Sequence, residues 1–217
     1  MKKLIISLLI INPCFVFAQF GIKAGLNFAN VTKAASINNS SRTGFNVGLL
    51  LAPPSKKILS SRTELTFSRQ GYNYKTSSNT GTVDLDYIMM PQYMCINITK
   101  YFQIQLGAQM AFLINAKADS SKSSTTGAPG SSSKILDLYN KFDYGYGGGI
   151  EIHPVAGLLI GARFNVSLSN LYKDAQNGQS PSFSSIDLKN NMLQVFAGWK
   201  FGKNESKKKK EKEQDSN

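Results

Sequence analysis

The sequence predicts an all-β fold, an eight-stranded antiparallel up-and-down transmembrane β-barrel. Eight segments alternate apolar and polar residues, and the connections between them alternate between long and short. Outer-membrane barrels show this rhythm, with long loops outside the cell and tight turns in the periplasm. A soluble β-sandwich is the alternative, but burying two apolar faces against each other requires no alternation in loop length.

The N-terminal segment 1–18 has the features of a secretory signal peptide. Lys2 and Lys3 precede an apolar stretch over residues 4–11, which is too short to span a bilayer, and we expect cleavage after Ala18. Cys14 also suggests a lipoprotein, although the proline before it fits a lipobox poorly. The barrel is then predicted over residues 19–202, with Cys95 as its one cysteine and no intramolecular disulfide.

Each predicted strand carries apolar side chains at every second position. In the first, Phe20, Leu26 and Phe28 share one face, while Lys23 and Asn27 share the other. Because successive side chains of a strand point to opposite faces, one set meets lipid and the other lines the lumen. The predicted strands are residues 20–29, 45–51, 62–70, 85–98, 102–114, 144–152, 158–168 and 193–201.

The connections set the predicted topology. An even number of strands places both ends of the chain on the periplasmic side. Pro91 interrupts the fourth strand, and since proline lacks a ladder donor, we expect a β-bulge there. The predicted outer loops are residues 32–42, 73–83, 117–141 and 172–189, and the predicted turns are 53–58, 99–101 and 153–157.

Aromatic residues gather toward both ends of the predicted strands. Aromatic rings favour the membrane interface, so two such girdles are typical of a barrel that spans a bilayer. The girdle near the turns comprises Phe20, Tyr101, Phe102, Trp199 and Phe201, and that near the outer loops comprises Phe28, Tyr72, Tyr74, Tyr87, Tyr144, Tyr146 and Tyr172.

Charged residues fall on the inward face of several strands. Eight strands enclose only enough room for their own side chains, so an open diffusion pore is not expected. Charges in such a lumen must pair or be hydrated, which predicts a salt-bridge cluster around Glu64 and Glu151. The cluster is interpreted as a structural plug, with a proton or ion path as the alternative. Its predicted members are Lys23, Arg62, Glu64, Glu151, Arg163 and Lys200.

The sequence offers no catalytic, cofactor or metal site. The glycines of residues 144–149 lie within a predicted strand, whereas phosphate-binding loops join a strand to a helix. His153 is the only histidine and precedes a proline in a predicted periplasmic turn, away from the outer leaflet where a lipid-modifying barrel would need its base. We therefore expect no enzyme activity, no cofactor and no metal.

The chain is basic, with a formal net charge of +12 and a pI near 9.7. An exported chain without a compact nucleic-acid motif is not expected to bind nucleic acid. Part of the charge lies in residues 203–217, which contain Lys207–Lys210 and are too polar to fold alone. We expect this segment to be a disordered periplasmic tail.

Three segments carry a family resemblance. Phe20-Gly-Ile-Lys-Ala-Gly-Leu-Asn-Phe-Ala-Asn-Val31 resembles the start of the PorT-like outer-membrane barrel family, and Tyr87…Pro91…Tyr93 and Phe196-Ala-Gly-Trp-Lys-Phe-Gly202 look similar to its later strands. The resemblance implies an eight-stranded barrel, often labelled porin-like. It also implies a possible link to type IX secretion, in which the founding member takes part. It offers no catalytic motif to transfer.

These observations predict a non-enzymatic structural or accessory protein of the cell outer membrane. Its expected partners are outer-membrane lipid and, during biogenesis, the barrel assembly machinery. Surface or secretion partners would bind the outer loops or the tail. The alternatives are a component of the type IX secretion machinery, a lipid-modifying barrel and a small solute channel.

Overall fold

The structure is a computed structural model that describes residues 19–32, 38–52, 58–75, 80–121, 136, 139–172 and 188–201. The predicted signal peptide and the predicted tail lie outside the described residues. No helix in the described part of the chain is long and apolar enough to cross a membrane.

Eight antiparallel strands form a closed barrel in which each strand pairs with its neighbours in sequence and β1 pairs with β8. The predicted fold class is therefore confirmed. Closure leaves the pairing without a free edge around the barrel wall. The strands are β1 (Gln19–Thr32), β2 (Asn38–Ala52), β3 (Leu59–Lys75), β4 (Thr80–Asn97), β5 (Phe102–Ser121), β6 (Phe142–Ile152), β7 (Leu158–Ser167) and β8 (Lys189–Phe201).

The two ends of the barrel differ. The turn end holds Gln19 and Phe201, the first and last residues of the barrel wall, and the connections 53–58, 98–101 and 153–157. The loop end holds the connections 33–37, 76–79, 122–141 and 168–188.

The predicted alternation of side chains is present in the barrel wall. In β1, Ile22 is 46% exposed and points outward, while the neighbouring Lys23 is 2% exposed and points into the lumen. The outward residues make an apolar belt that a soluble protein would bury. The belt includes Phe20, Leu26, Phe45, Leu49, Leu65, Leu106, Met110, Phe112, Tyr146, Ile150, Ile160, Phe164, Val195 and Trp199.

Two predicted outer loops are largely strand, so the prediction of long loops at 32–42 and 73–83 is wrong. Only residues 33–37 and 76–79 lie between the strands there. The strands β3, β4 and β5 have 17, 18 and 20 residues, whereas about 9–11 tilted residues cross a bilayer. Strand segments beyond the bilayer need no apolar face, so their polar sequence resembles that of a loop.

The predicted bulge at Pro91 is also wrong. Thr63 pairs with Gln92 and Thr66 pairs with Met89, so the register of β3 and β4 is the same on both sides of the proline. One missing N–H is tolerated without an extra residue. Register shifts instead lie between Asp86 and Tyr87 in the β4–β5 pair, and between Ser41 and Asn46 in the β2–β3 pair.

The aromatic girdle near the loop end is smaller than predicted. Tyr144 and Tyr146 are exposed on the outward face, but Tyr72, Tyr87 and Tyr172 are buried inside the barrel. Tyr72 continues the inward set of β3 that begins at Arg62, so its position follows from the two-residue period of the strand. At the turn end, Phe20, Tyr101, Trp199 and Phe201 are exposed as predicted.

Candidate functional site

The structure brings the six predicted luminal residues together in the turn-end half of the barrel. They come from five strands: Lys23 from β1, Arg62 and Glu64 from β3, Glu151 from β6, Arg163 from β7 and Lys200 from β8. Five of the six are at most 2% exposed, and the Lys200 side chain is 18% exposed. The alternation of each strand points these side chains to one interior.

Glu64 is held by cations from two other strands. The Arg163 guanidinium donates from Nη1 and Nη2 to the two Glu64 oxygens, each at 2.8 Å. Lys23 Nζ lies 2.6 Å from Glu64 Oε2, and Arg62 Nη1 lies 3.8 Å from Oε1. Such a bidentate pair fixes both the position and the orientation of the carboxylate.

Glu151 is the second carboxylate of the cluster. Arg62 donates to it from Nη1 at 2.5 Å and from Nη2 at 2.7 Å. His153 Nε2 lies 2.6 Å from Glu151 Oε1, and Lys200 Nζ lies 3.6 Å from the same oxygen. Each carboxylate therefore has one arginine as its bidentate partner and further basic groups beside it.

Two glutamines link the two carboxylate centres. Gln105 accepts a hydrogen bond from Arg163 Nε at 2.6 Å and donates to Glu151 Oε2 at 3.0 Å. It also donates to Gln103 Oε1 at 2.7 Å, which in turn accepts from Arg62 at 3.2 Å. The cluster is thus one connected network, which fixes buried charges more firmly than isolated pairs do.

Aromatic rings flank the network. The Arg163 guanidinium carbon lies 4.3 Å from the ring centroids of both Tyr93 and Phe196. Lys23 Nζ lies 4.9 Å from the Phe196 centroid. Rings at these distances favour cations and exclude water from them.

Glycines in β6 make room for the network. A Cβ on Gly149 would lie 2.1 Å from the Ala162 carbonyl oxygen and 2.7 Å from Arg163 Cγ. A Cβ on Gly147 would lie 2.0 Å from Asn165 Oδ1. The glycines of residues 144–149 lie within a strand, as the sequence indicates, and there they allow β7 and its large side chains to approach closely.

The predicted cluster does not include His153, nor the neutral linkers Gln103 and Gln105. His153 lies in the connection after β6, as predicted for a turn, but its ring turns back to Glu151. The sequence indicates this position, because His153 is two residues after the inward-facing Glu151, and residues two apart on an extended chain point to the same side.

The loop-end half of the interior contains an apolar core beside buried polar side chains such as Gln70 and Asn190. Its core includes Val31, Leu85, Leu113, Leu171 and Met192, all buried. Beside them, Tyr72 and Tyr172 place their hydroxyls 2.6 Å apart, and Tyr139 lies 3.4 Å and 3.3 Å from the two. Burial raises the pKa of Tyr139, in the connection between β5 and β6, above its usual value. The apolar core fills the loop-end level of the lumen, and the ion-pair network fills the turn-end level.

A four-stranded sheet extends past the barrel at the loop end. Pairing of β1 with β2 ends at Ala29 and Arg42, and pairing of β5 with β6 ends at Phe112 and Phe142. Pairing among β2, β3, β4 and β5 continues to Asn38, Lys75, Thr80 and Ser121. We call this part the projecting sheet: residues 38–41 of β2, 70–75 of β3, 80–86 of β4 and 113–121 of β5.

Two ion pairs lie on the projecting sheet and at its base. Arg42 forms a bidentate pair with Asp84, and Arg69 forms one with Asp86, at 2.7 and 3.1 Å. Asn115 donates to Asp86 at 2.9 Å. Beyond Leu113, whose N–H donates to the Lys141 carbonyl at 2.8 Å, the backbone of β5 has no ladder partner on its second side among the described residues.

Two cavities lie at the turn end, with volumes of about 490 and 690 Å³. Both are lined by Gln19, Lys100, His153 and Lys200, and the smaller one also reaches Arg62 and Cys95. No group of three or more His, Cys, Asp or Glu side chains in the described ranges is arranged to hold a metal ion.

Residues 16–173 match the family model described as the outer membrane protein beta-barrel domain. No curated protein matches the chain. Among solved structures, the chain is similar to Ail, the attachment invasion locus protein of Yersinia pestis, with 19% identity and a TM-score of 0.49 over 85% of this chain and 99% of that one. It is also similar to Neisserial surface protein A, with 15% identity and a TM-score of 0.45 over 84% of this chain and 97% of that one.

Proposed function

The chain belongs to the outer membrane protein beta-barrel domain family, and on that premise we propose that it is a non-conducting, non-enzymatic surface barrel that presents its projecting sheet to a partner outside the cell. In this arrangement the loop end faces outward, and both chain termini lie in the periplasm. Outer-membrane lipid surrounds the apolar belt.

The projecting sheet is the observation that carries this proposal. Its strands continue for several residues past the last pairs made by β1 and β6. The inner face of this extension packs on the loop-end core, and its outer face carries exposed residues such as Lys117. A strand with unpaired N–H and C=O groups can add a strand from another protein. The ion pair Arg69–Asp86 joins β4 to its neighbour β3, and the pair Arg42–Asp84 reaches across β3 to join β4 to β2.

The filled interior supports the absence of conductance. Arg62, Glu64 and Arg163 cross the turn-end half at no more than 2% exposure, and the tyrosine cluster closes the loop-end half of the described interior. A channel of the porin type instead needs a continuous water-filled lumen.

Planar-bilayer recordings test the proposal directly. The full chain, reconstituted at protein levels that give many insertions, should show no stable conductance steps. Insertion is verified independently by the heat-dependent mobility of the folded barrel on gels. Steady, reproducible steps from verified insertions would overturn the non-conducting role.

Type IX secretion is the alternative that the resemblance of residues 20–31 suggests. Proteomics of the culture medium and the cell surface, comparing a clean deletion strain with its complemented parent, separates the two roles. An unchanged profile supports the surface role. Loss of a set of secreted proteins, with their accumulation in the periplasm, would assign the chain to the export machinery instead.

A further inference from the structure

The luminal network holds more positive than negative charge. Among the described residues of the turn-end half, Lys23, Arg62, Arg163 and Lys200 surround only two carboxylates, Glu64 and Glu151. Each arginine forms a bidentate pair with one carboxylate. The two lysines therefore add charge that no buried acid balances, and unbalanced charge in a confined site is costly.

The two lysines differ in their surroundings. Lys23 is 2% exposed and is enclosed by Glu64 at 2.6 Å, by Gln194 at 3.2 Å and by the Phe196 ring. Lys200 has its nearest carboxylate oxygen only at 3.6 Å and lines both turn-end cavities. The excess charge that an outside group can reach is therefore at Lys200.

Arg62 adds a second donor to the smaller cavity. It is 1% exposed, it lines that cavity, and its Nε has no hydrogen-bond partner among the described residues. A buried guanidinium N–H without an acceptor is unusual in a folded protein. Since Nη1 and Nη2 already donate to Glu151 and Gln103, Nε is the Arg62 group left for a further acceptor.

The lining of the smaller cavity has one sign of charge. Besides Arg62 and Lys200 it contains Lys100, and none of its described lining residues is an aspartate or a glutamate. Ser60, Asn97 and Gln103 add neutral polar side chains, which hydrogen-bond one another. Such a surface attracts anions and repels cations.

We propose that the turn-end cavity is a binding site for a phosphoryl group, with Lys200 and Arg62 as its principal donors. A phosphate carries negative charge that offsets the unbalanced charge at Lys200, and its oxygens accept hydrogen bonds from both ammonium and guanidinium groups. The cavity of about 490 Å³ has ample room for it. The site is independent of the role proposed for the projecting sheet.

Two sources of the phosphoryl group share this chemistry. One is free inorganic phosphate, and the other is a phosphomonoester at the head of a lipid. The second source is reasonable because Tyr101, Trp199 and Phe201 line the adjoining cavity, and such aromatic residues sit at the level of lipid headgroups.

Calorimetric titration of the refolded full chain with inorganic phosphate, in a non-ionic detergent at low ionic strength, tests the site. We expect saturable binding to one site and a rise in melting temperature with phosphate concentration. Lys200→Gln should weaken binding by about tenfold or more, as for the loss of one charge-assisted hydrogen bond. Lys200→Arg should retain binding. Lys117→Gln, an exposed change in the projecting sheet, is the matched control and should bind as the wild type does.

Saturable binding that is weakened in Lys200→Gln would support the site. Absence of saturable binding to the wild-type chain, or equal affinity in Lys200→Gln, would overturn the proposal. If Lys200→Gln does not fold, the exposed rim variant Lys100→Gln serves in its place and should weaken binding, and unchanged affinity would count against the site.

A parallel titration with decyl phosphate, a phosphomonoester with an apolar tail, separates the two sources. Affinity at least about tenfold above that of inorganic phosphate, lost in Lys200→Gln, would identify a lipid headgroup as the ligand. Equal or weaker affinity would identify free phosphate. Failure of both probes to bind would leave no phosphoryl site.

Discussion

Arg163 on β7 and Glu64 on β3 join opposite walls of the barrel through two hydrogen bonds of 2.8 Å. In a ring of eight strands, β3 and β7 are separated by three strands on either side. The pair therefore links β3 to β7 across the lumen, and together with Arg62–Glu151 it fixes the distance between the facing walls in the turn-end half.

Glu64→Gln should lower the free energy of unfolding by about 3–5 kcal/mol, because it leaves Lys23 and Arg163 buried without their carboxylate. Urea titration of the folded barrel in detergent measures the change. Asp84→Asn, which breaks an ion pair with side chains 28% and 27% exposed, is the matched control and should cost about 0–1 kcal/mol. Bilayer conductance should stay absent in both variants, and a new conductance in Glu64→Gln would favour an ion path.

Gly149→Ala should destabilise the barrel by about 1–3 kcal/mol, because the new methyl group meets the backbone of β7 at 2.1 Å. The neighbouring Gly148→Ala is the control, since its Cβ meets first the end of the flexible Leu106 side chain, at 2.8 Å. The temperature at which each barrel loses its folded mobility on a gel reports the difference. Equal midpoints for the two variants would show that β6 and β7 separate at little cost.

The tyrosine cluster should make stability fall at alkaline pH. Burial raises the pKa of Tyr139 in the folded chain, so the folded state resists ionisation while the unfolded chain ionises near pH 10. Stability from this group is fully present below about pH 10 and declines above it. Tyr139→Phe should flatten that decline in urea midpoints measured from pH 8 to 11. An unchanged slope in Tyr139→Phe would contradict the prediction.

Cysteine labelling tests the proposed orientation. Lys117→Cys in the projecting sheet should react with a membrane-impermeant maleimide on intact cells. Lys100→Cys at the turn end should react only after the outer membrane is permeabilised. Both positions are exposed, and wild-type Cys95, at 1% exposure, serves as the unreactive background. The reverse pattern would place the projecting sheet in the periplasm.

The bilayer part of the barrel could be predicted from the sequence because lipid on one side and a polar lumen on the other impose a two-residue period. That period assigns Lys23, Glu64 and Arg163 to the lumen, and they are buried there. Which cation pairs with which carboxylate depends on the register between strands distant in sequence, and alternation alone does not contain that information.

The loop-end half was harder to predict, for two physical reasons. Strand segments outside the bilayer carry polar residues on their outer face, so residues 73–75 and 80–83 looked like loop. The register shift at Asp86 and Tyr87 then changes which side chains of β5 point inward, so that Ala116 joins the interior after Leu113. A one-residue shift of this kind leaves no mark in the composition.

The seam between β1 and β8 determines when the barrel can be completed. Because the first and last strands pair along their whole length, from Phe20 with Phe201 to Thr32 with Lys189, the wall stays open until the final strand has been delivered. Lys200 reaches its luminal partners only at that moment. Until β8 pairs with β1, the charged interior therefore has one open side along the full length of the barrel.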